Sequence, residues 1–183
     1  NARNTYLPHS AWLGVLAAGA AAGGVSAPHD ALPHYAAKFS AARDEPAFSP
    51  DHYLLLDAYF KPYAAVRHVH FGAEAARLLR PKLAAGTTSI KAIRLRIYQE
   101  AITYCGNRNP RQPIQAQFSL SFGVAAALVL GDIEAAAYRE GNFHNSELRR
   151  LESLVQVEVD EALTAANRRG ATLVLETGGG KLE

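Results

Sequence analysis

The sequence predicts an α+β fold in which helices pack on one sheet. Three observations predict it. Val155-Gln156-Val157-Glu158-Val159-Asp160 alternates apolar and polar residues, the period of a half-buried strand. Residues 116–130 are apolar almost throughout and stop at Gly131-Asp132, as a buried helix does. Around them the chain reads strand, helix, strand, helix, helix, strand, strand, an order that layers helices against a sheet.

Each element has its own signal. Ser10 has the chemistry of an N-cap for a helix over residues 11–22, with Gly23-Gly24 as its stop and Pro28 beyond. Ala and Gly dominate this helix, so it reads as buried, with small side chains that let neighbouring backbones approach. The same run has some marks of an export signal: Arg3 upstream, an apolar middle, and Val25-Ser26-Ala27 at its end. Its weak hydrophobicity and Pro28 argue against that, and it falls short of the ~20 strongly apolar residues of a membrane span. A short helix around residues 34–42 follows, then a loop through Pro46 and Pro50. That loop marks a domain boundary, with residues 1–50 before it and 51–183 after.

Residues 53–60 read as a strand. Ala73, Ala76, Leu79 and Leu83 recur at helical spacing, which predicts a helix over 72–83 that Pro81 kinks or ends at Arg80. Ile90, Ile93, Leu95 and Ile97, with Lys91, Arg94 and Arg96 between them, predict a strand with one face buried. Residues 133–140 are weakly helical, and Leu148, Leu151 and Leu154 give an amphipathic helix over 145–154. Arg168-Arg169-Gly170 turns the chain into a last strand over 171–176.

Composition narrows the function. A formal net charge of +2 over 183 residues, with no run of Lys and Arg interleaved with aromatics, gives no argument for nucleic acid. The one cysteine, Cys105, excludes an internal disulfide and any multi-cysteine zinc site. The cytoplasm is the expected compartment. The absence of any methionine and the polar start mark a piece of a longer protein, and Lys181-Leu182-Glu183 reads either as native or as a cloning remnant.

Lys61-Pro62-Tyr63-Ala64-Ala65-Val66-Arg67-His68-Val69-His70 concentrates an ammonium, a guanidinium, a phenol and two imidazoles in one short connection. Such a set suits a small molecule bearing several carboxylates; a solvated basic loop is the plainer alternative. Further on, Ala116-Gln117-Phe118-Ser119-Leu120 runs into Val124-Ala125-Ala126-Ala127-Leu128. These two segments, with the small-residue helix over 9–22 before them and the Arg169-Gly170-Ala171 strand after them, resemble the MmgE/PrpD family. That family includes 2-methylcitrate dehydratases, cis-aconitate decarboxylase and iminodisuccinate epimerase.

The resemblance implies a large all-helical domain and a smaller α+β lid with the active site between them, commonly in a homodimer. On it, residues 1–50 are the end of the helical domain, most of which is absent, and 51–183 are the lid. The absent part supplies an Asp- and His-bearing portion of the site in the family, so the isolated chain is expected to be inactive. The implied reaction is a cofactor-independent dehydration, decarboxylation or epimerisation of a small di- or tricarboxylate. A non-catalytic binding or assembly module that kept the lid fold is the alternative.

Roles follow residue by residue. Lys61 matches the motif lysine and would bind a carboxylate and stabilise enolate-like charge, or else be an exposed loop lysine. Arg67 would grip a carboxylate bidentately, or tie the loop to a helix. His70, near a helix start, would be held neutral for proton transfer by the helix dipole, or bond to backbone. Tyr63 would pack its ring under the loop while its hydroxyl reaches a partner. Tyr104 stands where the decarboxylase branch has an active-site tyrosine, though the register also admits Cys105. Arg3 takes the place of an upstream family lysine, keeping charge without the capacity to act as a base. His68 is off the motif and reads as structural. Ser119 reads as a helix cap, and Ser121 stands where the family usually carries proline.

Overall fold

The computed structural model describes residues 6–39, 56 and 58–183. The chain divides into two compact units, Asn1–Tyr59 and Phe60–Glu183.

The first unit holds α1 (Tyr6–Ala22) and α2 (Ala31–Phe39). The helix start differs from the expected Ser10 cap: Ser10 lies in the second turn of α1, and Pro8 sits in the first turn, where its missing N–H has no intrahelical partner to lose. The stop is as expected. Gly24 adopts φ +90°, and the Val25 and Gly24 amides bond back to the carbonyls of Ala20 and Ala21, a Schellman ending. The expected burial of α1 is not found; none of its residues is buried, and Leu7, Trp12 and Val15 are exposed. The helix is apolar on all sides, so no single neighbour can cover it.

The second unit is α+β. Its sheet runs β2 (Val155–Val159), β1 (Ile90–Ile97), β3 (Ala171–Thr177), β4 (Gly180–Leu182) across its width. β1 is parallel to β2 and antiparallel to β3, with Ile93 opposite both Val155 and Leu175. An irregularity between Ile90 and Ala92 explains the imperfect alternation of β1. Ile93, Leu95 and Ile97 face the helical layer and are fully buried. Arg94 and Arg96 face the other way, paired with Glu158 at 3.1 Å and Asp160 at 3.6 Å. A mixed sheet can keep such a face in water.

The helical layer is α3 (Arg67–Leu79), α6 (Leu120–Leu130) and α7 (Ser146–Leu154). Every residue of α6 from Leu120 to Leu128 is buried. Gly123 explains how α3 comes so near: a Cβ there would lie 2.3 Å from Val69 Cγ1. Gly72 in turn lies under Leu95 and Val124, and Arg80 Nε–H donates to the Leu128 carbonyl at 3.0 Å. Successive contacts advance together along both helices, so α3 and α6 run parallel and start at the same end.

Three short helices complete the unit: α4 (Gln99–Cys105), α5 (Pro113–Ala116) and α8 (Glu161–Ala165). Several boundaries correct the sequence reading. α3 begins at Arg67, so Arg67 and His70 lie on a helix and not in the connection before it. It ends at Leu79, with Pro81 inside a 3-10 turn over Arg80–Lys82. The apolar run 116–130 divides at Gln117-Phe118-Ser119, because Ser119 caps α6 by accepting from the Phe122 amide at 3.1 Å. Residues 133–140 contain a 3-10 turn, Ala135–Tyr138. The expected strand over 53–60 falls mostly outside the described residues, and 58–60 are not in a strand.

Candidate functional site

The connection before α3 is pinned to the unit at three points. The Ala64 amide donates to the Ile133 carbonyl at 3.2 Å, and the Val66 amide to the Gln117 carbonyl at 3.1 Å. His70 Nε2–H donates to the Ala65 carbonyl at 3.1 Å. Lys61 is exposed, three residues before the first of these bonds. Tyr63 is half-buried, its ring edge-on to His70 at 5.3 Å. Its hydroxyl donates to Glu74, which Arg77 grips bidentately at 2.8 and 2.7 Å. Arg77 and then Tyr63 hold the Glu74 carboxyl down at about 2. Burial, then Glu74, pushes the Tyr63 phenol up.

His70 is only 8% exposed. Burial depresses its pKa first; the charges of Lys61 and Arg67 act in the same direction, against the backbone carbonyls of Ala65 and Tyr63. Desolvation is thus the largest influence favouring the neutral imidazole. With Nε2–H given to Ala65, Nδ1 is the nitrogen left to take a proton.

Tyr63, Arg67 and His70 therefore meet at the first turn of α3, and Lys61 stands six residues before its start. Tyr104 is not beside His70. It is 61% exposed and stacks on His68, at 5.8 Å with the planes 14° apart. Arg67 is the first residue of α3, and its charge lowers the pKa of both His68 and His70, each after burial as the larger cause. Cys105 is fully buried, a small core residue. Arg3 lies outside the described residues.

A polar hub beneath α6 was not anticipated. Glu152 is only 4% exposed. It accepts from the Asn109 amide at 2.9 Å, from the Ser121 hydroxyl at 3.3 Å and from Arg149. Arg149 also donates to the Phe143 and Pro110 carbonyls. Asn109, at φ +52°, turns the chain so that its amide reaches Glu152. The departure at Ser121 thus has a local partner: the hydroxyl there reaches the buried carboxylate. A signal for the hub was present, because Glu152 follows Leu148 by four residues and Leu151 by one, on the buried stripe of α7. A cavity of about 450 Å³ opens beside it, lined by Arg108, Asn109, Arg149, Glu152 and Ser153.

Among the described residues, no helix is long and apolar enough to cross a membrane. Nor, among them, do three or more His, Cys, Asp or Glu side chains group as a metal site. A search among curated proteins gave no match. Residues 63–183 match the MmgE/PrpD C-terminal domain. The match begins at Tyr63 and takes in α3, α6 and the whole sheet, with Tyr63, Arg67 and His70 inside it and Lys61 before it. Membership points to lyase- or isomerase-type chemistry in the full-length protein. The chain belongs to the MmgE/PrpD family.

Proposed function

We propose that this turn binds a small di- or tricarboxylate, and that the full-length protein dehydrates, decarboxylates or epimerises it without a cofactor. The observation that carries the reading is the placement of Arg67 and buried His70 together in the first turn of α3, directly after the pinned connection that follows Lys61. Lys61 takes one carboxylate as a point charge and Arg67 takes another through its planar fork. The parallel starts of α3 and α6 add partial positive charge at the same end. A proton beside a bound carboxylate then has an acceptor of suitable state in His70, and the enolate-like charge left behind is met by the Lys61 ammonium. Tyr104 would deliver or remove a proton on the other flank, and Arg3 would add a further cation. Residues 51–183 act as the lid on the helical domain, in a cytoplasmic homodimer.

The test is direct. Full-length protein is assayed with methylcitrate, cis-aconitate and aspartate-derived dicarboxylates. Turnover of one of them is expected, with Lys61→Ala and Arg67→Ala each lowering kcat/KM by about 100-fold, or about 2.7 kcal/mol. Absence of both turnover and binding for every polycarboxylate overturns the reading.

One observation favours a second reading. His70 latches the loop to the backbone, and Tyr63 serves the Glu74–Arg77 pair. Both roles suit a binding or assembly module that kept the fold. Ligand behaviour unchanged in the Lys61→Ala and Arg67→Ala variants, together with a changed oligomer size, selects that reading.

A further inference from the structure

His68 has more structure around it than a surface histidine needs. Its Nδ1 lies 2.6 Å from the Tyr98 hydroxyl, and its ring lies nearly parallel to that of Tyr104. Tyr98 is itself fixed: it is 3% exposed and meets Phe71 edge-on at 6.0 Å. A chain of contacts thus runs from the core through Tyr98 and His68 to an exposed phenol. Burial and then Glu100 push the Tyr98 phenol up to about 12, so it keeps its proton. Burial depresses His68 in turn; Glu100 opposes this and Arg67 reinforces it, which favours the neutral ring, and Nδ1 is the atom that meets the Tyr98 hydroxyl. The charged and titratable groups around His68 are Arg67 on α3, Tyr98 before α4, and Glu100 and Tyr104 on α4.

Position gives this chain its purpose. Arg67 and His68 are the first two residues of α3. In a helix, His68 and His70 leave the axis on different sides, about 100° and 300° round from Arg67. The turn therefore has His70 and Tyr63 on one flank, Arg67 between, and His68 with Tyr104 on the other. An exposed tyrosine ordinarily samples several rotamers. This one is held by a ring that is itself held.

We infer that His68 is a positioning residue for Tyr104: Tyr98 fixes the imidazole, and the imidazole fixes the plane of the phenol beside the carboxylate-binding turn. The inference rests on the polycarboxylate reading and extends it, because it gives the second flank a defined geometry. No proton is lost or gained by His68 itself.

The experiment uses full-length protein with His68→Ala, His68→Phe, Tyr98→Phe, Tyr104→Phe and the His68→Ala/Tyr104→Phe double variant. Steady-state kinetics are measured on the polycarboxylate that the wild type turns over. The Tyr104 phenol is followed separately, without substrate, by NMR of ring-labelled tyrosine across a pH titration. His68→Ala is expected to lower kcat about tenfold with KM within about twofold, and Tyr98→Phe about threefold. His68→Phe, which keeps a stacking ring, restores most of the rate. The double variant matches Tyr104→Phe alone. A His68→Ala loss that persists undiminished in the Tyr104→Phe background overturns the inference, as does a change confined to KM. A Tyr104 titration identical in wild type and His68→Ala overturns the clamp whatever the kinetics. A wild type inert toward every polycarboxylate overturns instead the reading beneath it, while the Tyr104 signal still reports on the clamp.

Discussion

Lys61→Ala should raise the pKa of His70, because the ammonium is one of the charges that depress it. The change is measured from the His70 ring resonances across a pH titration; Arg67→Ala should act in the same direction. The sign for stability follows. His70 is lowered below its ordinary 6.5 in the folded chain. The unfolded side chain takes up its proton first as pH falls, so the full stability is present above about 6.5 and is lost as pH falls toward and through the depressed value. Urea melts at pH 7.5 and 5.5 should therefore differ, and the difference should shrink in Lys61→Ala. At this scale the sequence was informative about residue types and less so about roles. It drew attention to Lys61, Arg67 and His70 and named backbone bonding as the alternative for His70. It did not reveal that Tyr63 would serve Glu74, because a bond between residues 63 and 74 depends on where α3 begins.

Gly123 is where α3 and α6 depend on one missing atom. Gly123→Ala would drive a methyl into Val69, which must move or change rotamer. Overpacking of this kind costs about 1–3 kcal/mol. Denaturant unfolding of the variant should show a loss of that size, and Val69→Ala in the same chain should recover part of it. A gain in stability would contradict the close approach. The elements themselves were legible where a period had room to repeat. The α7 stripe, the β2 alternation and the Gly131 stop of α6 all stood in the sequence. α4 and α8, at seven and five residues, are too short for a period to show. β4 has three residues and exists because Gly178-Gly179 turns it back on β3. The start of α3 was placed five residues late, although Val69 continues the stripe of Ala73 and Ala76 by one more turn.

The whole molecule was legible through order. Helices alternating with strands, then two strands in succession, implied helices packed on one sheet, and the mixed pairing in the order β2-β1-β3-β4 makes the unit α+β. The burial of α1 was not legible, because an apolar helix announces that it needs covering without saying what covers it. The proposed site was legible in part for a related reason. The residues around α3 would supply cations and a neutral imidazole, and the rest of the proposed ligand's contacts would come from residues beyond this turn. In the proposed site Lys61 and Arg67 grip a polycarboxylate beside His70. The decisive measurement is the His70 ring resonance of full-length protein during titration with a tricarboxylate at constant pH. A saturable shift and a raised His70 pKa are expected as the bound anion offsets the two cations, both abolished in the Lys61→Ala/Arg67→Ala variant. A His70 signal that stays still while the ligand binds, or that moves equally in that variant, would contradict it.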